Sequence, residues 1–82
     1  MKYLKEINMN SEKRIISVYK TSISYEDISH LKIVLDNFTK ITKWNTDLDD
    51  CDNILRIESQ FSVENKIISL LNNLNIVCIE LH

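Results

Sequence analysis

The chain contains no glycine, no proline and no alanine. Without glycine, every phosphate-cradling loop that depends on a bare backbone is excluded: no P-loop, no dinucleotide-binding fingerprint and no kinase-like loop. Turns that would ordinarily take glycine fall to Asn and Asp, the next residues most tolerant of a left-handed backbone. Cysteine is scarce as well. Cys51 and Cys78 are too few for a disulfide framework and no CxxC occurs, so a reduced, cytoplasmic protein is expected. Long apolar runs are missing too: Ile76–Ile79 reaches four residues, against the roughly 20 that a membrane helix needs. Residues 1–13 are too polar for the apolar core of a secretory signal. Nor is there an excess of positive charge. Ten basic residues against twelve acidic ones leave a net charge of −2, so no nucleic-acid footprint is expected.

What remains is an ordinary globular balance, 44% hydrophobic and 27% charged, in 82 residues that fit one domain. Residues 14–20 read as a β-branched and aromatic strand. Ser24 and Asp27 have capping-box spacing, and Ile28, Leu31, Val34, Leu35 and Phe38 follow at helical spacing, predicting a helix over 25–37 with Asn37 as a left-handed stop. Trp44, Thr46 and Leu48 alternate in a strand over 41–48. The polar link at 49–53 is turn chemistry, and a strand over 53–59 closes a hairpin. Ser62 is a cap for a second helix over 63–73, whose stripe is Val63, Ile67, Leu70, Leu71 and Leu74. A last strand runs over 76–81.

The order βαββαβ predicts an α+β, ferredoxin-like sandwich over residues 14–82: a four-stranded antiparallel sheet with two helices on one face. Residues 1–13 are an N-terminal extension that reads equally as a helical turn, an added edge strand or a frayed, mobile end. The expected core is Val18, Leu31, Leu35, Phe38, Trp44, Leu55, Ile57, Ile67, Leu71 and Ile79. The loop at 21–24, the hairpin tip at 49–53 and the link at 73–75 are expected at one end of the fold.

The strand Ile-Ile-Ser-Val-Tyr-Lys-Thr before the first helix, the run Ile41-x-x-Trp44-x-Thr46-Asp47-Leu48 and the strand Ile54-Leu55-Arg56-Ile57 resemble the heavy-metal-associated, copper-chaperone-like domains. The resemblance covers about four-fifths of the chain, Ile15 to Leu81. In that family a Met-x-Cys-x-x-Cys loop between the first strand and the first helix holds a soft ion through two thiolates. The matching stretch here, Lys20 to Glu26, has no sulfur in any register, so no metal ligand carries over. The resemblance implies a relative without the metal function, and no cofactor is expected.

Other candidates are few. Asp49, Asp50, Cys51 and Asp52 in the acidic 47–52 hairpin read as a solvated turn, with hard-cation binding as the alternative; the glycine and distal Glu of an EF-hand are absent. Cys78 reads as a small buried hydrophobe and Cys51 as a surface thiol. His30 flanks a helix stripe and His82 is the terminal residue, so the two cannot share a metal. No complete Ser/His/Asp or Cys/His set is apparent, and a non-catalytic chain is expected. If Val18, Leu55 and Ile57 face the helices, Ile15, Tyr19 and Ile54 lie on the open face of the sheet. They are then the candidate contacts for a protein partner or a second copy, with scattered surface hydrophobes as the plain alternative.

Overall fold

A computed structural model describes residues 14–49 and 51–81. The expectations for residues 1–13, Asp50 and His82 lie outside the described residues. Four strands, β1 (Ile15–Thr21), β2 (Ile41–Asp47), β3 (Ile54–Ser59) and β4 (Cys78–Leu81), alternate with helices α1 (Ile28–Asp36) and α2 (Glu64–Asn73) in the predicted order. A 3-10 turn over Tyr25–Asp27 leads into α1. The sheet is antiparallel at every pairing, in the order β2-β3-β1-β4. This is an α+β architecture in which Leu31 and Leu35 of α1 and Ile67 and Leu71 of α2 share one core cluster with Tyr19, Leu55 and Ile57 of the sheet.

Local chemistry starts and stops these elements. The Ser24 N–H and hydroxyl both donate to Asp27 Oδ2, at 2.9 and 3.1 Å, which holds the entry to the 3-10 turn. Ser62 does not cap α2: Val63 occupies that position, makes no side-chain cap, and is buried. Asn37 is right-handed rather than left-handed. The left-handed positions are Asn53 (φ 47°) and Asn75 (φ 63°), so asparagine does replace glycine, but in the hairpin tip and in the α2–β4 link. In β2 the register jumps by an extra residue between Ile41 and Lys43. That bulge returns both Ile41 and Trp44 to the helix side.

The faces of the two strands at the β1–β4 seam differ from expectation. Tyr19 is fully buried beneath the helices together with Ser17 and Thr21, whereas Val18 is half-buried on the open face. The run Ile-Ile-Ser-Val-Tyr offers an apolar pair on each face, Ile15 with Tyr19 or Ile16 with Val18, so alternation alone cannot phase it. The larger area of Tyr19 goes to the core, and Tyr19 pairs with Leu55 across the ladder. Ile79 is 56% exposed instead of buried. Trp44 and Phe38 pack against the core only partly buried. Trp44 sits on a border strand, where its indole N–H donates to Asp36 Oδ1 at 2.9 Å. Ile23, Val63 and Ile76 complete the core from outside the regular elements; Val63 belongs to the predicted stripe of α2, whereas Ile23 and Ile76 lie outside the expected core.

The Tyr19 phenol is the costly part of this packing. Burial pushes its ionisation up to about 12; the Ser17 hydroxyl opposes that rise, yet no hydrogen bond of good geometry forms to the phenol oxygen. Tyr19→Phe should therefore leave stability unchanged or raise it by up to about 1 kcal/mol, while Tyr19→Ala should cost about 3–5 kcal/mol. Urea unfolding of the two variants checks this, and a large loss in Tyr19→Phe would contradict it.

Alkaline stability follows from the same burial. Desolvation pushes the Cys78 thiol up to about 11, so both groups hold their protons longer folded than unfolded. Between pH 9 and 12 the folded state binds more protons than the unfolded one, and stability falls as pH rises, by at most about 1.4 kcal/mol per unit for each group. Unfolding midpoints should decline within this window. The decline should be shallower in Tyr19→Phe.

Candidate functional site

Hydrogen bonds bring three segments to one end of the sheet, as expected. The Thr21 N–H donates to the Asp52 carbonyl at 3.1 Å, and the Thr21 hydroxyl donates to the Asn53 carbonyl. The Asn53 side-chain amide donates to the Ile23 carbonyl at 2.9 Å, and the Ile23 N–H donates to Thr21 Oγ1 at 3.1 Å. Ser22 ties in the third segment. Its N–H donates to the Val77 carbonyl at 3.1 Å, and its hydroxyl oxygen accepts from the Val77 N–H at 2.8 Å. The loop from Thr21 to Ser24 is thus built on hydroxyls: those of Thr21 and Ser22 are engaged with the main chain and that of Ser24 with the Asp27 carboxylate.

Beside it, Tyr25, Ile28, Thr46, Asp47, Leu48 and Asp49 line a cleft of about 340 Å³, at the small end of the range for ligand pockets. Its polar groups are joined to one another. The exposed Tyr25 hydroxyl donates to Asp49 Oδ1 at 3.2 Å, which raises the phenol's ionisation, and the Asp49 N–H donates to Asp47 Oδ1 at 3.2 Å. Asp52 pairs with Lys20 at 3.4 Å, and Cys51 is an exposed free thiol. Among the described residues, no group of three or more His, Cys, Asp or Glu side chains is placed to hold a metal ion.

The open face of the sheet has a different character. Reading the ladder from β2 across to β4, one row is Asp47, Ile54, Lys20 and Ile79; the next is Asn45, Arg56, Val18 and Leu81; the third is Lys43, Glu58 and Ile16. Apart from Ile54 the β2–β3 half is polar, and apart from Lys20 the β1–β4 half is aliphatic. Ile16 is 45%, Ile79 56% and Leu81 42% exposed, and Val77, preceding β4 on the same side, is 57% exposed. Of the three expected partner contacts, only Ile54 lies on this face. Tyr19 is in the core, and Ile15 shares the helix side with its ladder partner Ser59.

Sequence reasoning missed Ile16, Ile79 and Leu81. The aliphatic set of Val77, just before β4, and Ile79 and Leu81 within it faces outward while Cys78 and Glu80 face the helices, the inverse of the usual pattern. The cause lies one residue upstream of that set. Ile76 is buried, its N–H donates to the Leu71 carbonyl at 2.9 Å, and alternation from that anchor turns Val77 out.

No protein-family model matches the chain, and neither a curated protein nor a solved structure matches it. Among the described residues no helix is long and apolar enough to cross a membrane.

The Asn53 latch is directly testable. Asn53→Ala loses the amide bond to Ile23 and leaves a Cβ at positive φ without the side chain's local compensation; it should cost about 1–2 kcal/mol. Asn53→Gly keeps the backbone angle at ease and should cost less. An alanine variant as stable as the native chain in denaturant titration would show that the latch contributes nothing.

Proposed function

We propose that this chain is a non-catalytic, ferredoxin-like βαββαβ domain of the cytoplasm, akin to heavy-metal-associated domains without their thiolate ligands, which acts as a protein-interaction module through the open face of its sheet. The fold reading is supported by the strand order, which runs 4-1-3-2 when read from the β4 side. The non-catalytic reading is supported by the loop end, where the hydroxyls of Thr21, Ser22 and Ser24 are engaged in holding the loop together.

One observation carries the interaction reading: Val77, just before β4, and Ile79 and Leu81 within it all turn away from the core. Single exposed apolar residues are common on any surface. Here three alternate positions in and just before one strand join Ile16 and Val18 of its neighbour in a patch beside a mostly polar half-sheet, the pattern of an interface.

A photo-crosslinking residue placed at Ile16 or Leu81, with a control at the exposed Ser69 of α2, tests this in the host cell. Discrete adducts are expected from the two sheet positions and none from Ser69. Equal labelling at Ser69, or no adduct from the sheet, would reject the reading.

A further inference from the structure

The aliphatic patch on the open face is set in positive charge. Along β1 the open-face residues run Arg14, Ile16, Val18 and Lys20, so two cations bracket the aliphatic pair. Arg56 of β3 lies directly opposite Val18 in the ladder, and Lys43 of β2 pairs with Glu58. The face thus carries Arg14, Lys20, Lys43 and Arg56 against Asp47 and Glu58. A chain with ten basic and twelve acidic residues has gathered a positive excess on the face that also exposes Val77, Ile79 and Leu81.

Two of these cations already have a carboxylate nearby: Arg14 lies 3.6 Å from Glu58, and Lys20 lies 3.4 Å from Asp52. Arg56 is exposed in the middle of the face, and among the described residues its guanidinium makes no hydrogen bond or ion pair. A guanidinium so placed is suited to a carboxylate, which it can hold through two parallel N–H donors.

Shape narrows the partner further. The main chain of β1 is bonded to β3 on one side and to β4 on the other, so the face offers side chains and no free main-chain groups. A segment lying across it has to satisfy its own main chain, which an α-helix does within itself. The dimensions agree. The patch runs from Ile16 to the level of Ser22, which bonds Val77, a span of about 20 Å at ~3.3 Å per residue. A helix of about 13 residues has that length, and its diameter of about 10 Å covers two adjacent strands. A second copy laid face to face fits less well, because it would bring the same positive excess with it.

We infer that the open face docks an acidic amphipathic helix of another protein, with its aliphatic stripe on Ile16, Val18, Val77, Ile79 and Leu81 and a flanking carboxylate on Arg56. This rests on the reading of that face as an interaction surface and gives the chemistry of its partner. One helix on this patch buries less than the roughly 800 Å² per partner of a standard interface, so the association is weak and salt-sensitive.

Two designed helical peptides of about 14 residues are the probes, with the same leucine stripe flanked by Glu in one and by Lys in the other. Added to the isotope-labelled full chain, the Glu peptide should shift the NMR signals of Ile16, Val18, Ile79 and Leu81. At low salt it should bind about tenfold or more tightly than the Lys peptide. Arg56→Glu should remove most of that preference and Arg56→Lys should keep part of it, both with the thermal melt of the native chain, because Arg56 is exposed. Ile79→Ser should weaken the Glu peptide as well, which attraction between charges alone would not produce. Equal affinity for the two peptides, binding of neither, or shifts confined to the helix layer overturns the inference. So does tighter attachment through the same residues to phosphatidylglycerol vesicles, to a second copy of the chain or to its own residues 1–13. If adducts still form in the cell at Ile16 and Leu81 while the Glu peptide fails, the helix is wrong and the interaction reading stands. If both fail, that reading falls too.

Discussion

The facing of β1 is the constraint on which the sheet depends. This strand lies between β3 and β4 and pairs with both, so the side to which it turns Tyr19 sets the side to which each neighbour turns its own residues. With Tyr19 inward, Leu55 and Ile57 of β3 join it under the helices, and Cys78 and Glu80 of β4 follow. Slipping β1 by one residue would bring Val18 inward and put a tyrosine on the surface, exchanging a large buried area for a smaller one. The ring's area outweighs the hydroxyl that comes with it, since desolvating one phenol costs less than the burial gains.

The second organising feature is the latch at the loop end. A chain without glycine or proline places asparagine where its turns take positive φ, at Asn53 and Asn75, and Asn53 adds a side-chain bond to the Ile23 carbonyl. Thr21, Ser22 and Asn53 bind the first loop to the hairpin tip and to the start of β4. That end of the domain is therefore occupied with its own cohesion, and the exposed aliphatic surface lies on the sheet. Structure and functional reading meet at β4, because the same Ser22–Val77 bonds that close the loop end also fix the outward phase of Val77, Ile79 and Leu81.

Much of the fold was legible in the order of residues. Helices α1 and α2 have unambiguous stripes, in which Leu31, Leu35, Ile67 and Leu71 can face only one way, and β3 has a single apolar alternation in Leu55 and Ile57. The candidate interface was legible only in outline. Of the three residues expected on the open face, Ile54 lies there. Ile15 and Tyr19 do not, because β1 carries apolar residues on both faces.

The amino-acid sequence by itself determined the element order, the reliance on asparagine turns, and the lack of thiolates in the first loop, since these depend on residue types and on spacings within one segment. Tertiary structure decided which face of β1 is buried and that β4 turns its aliphatic side outward. Those choices rest on contacts between distant segments: Tyr19 with Leu55, Ser22 with Val77, and Ile76 sealed beneath α2. A period-two pattern that is apolar in both phases carries no information about its own facing, and only the neighbours to which it bonds can supply it.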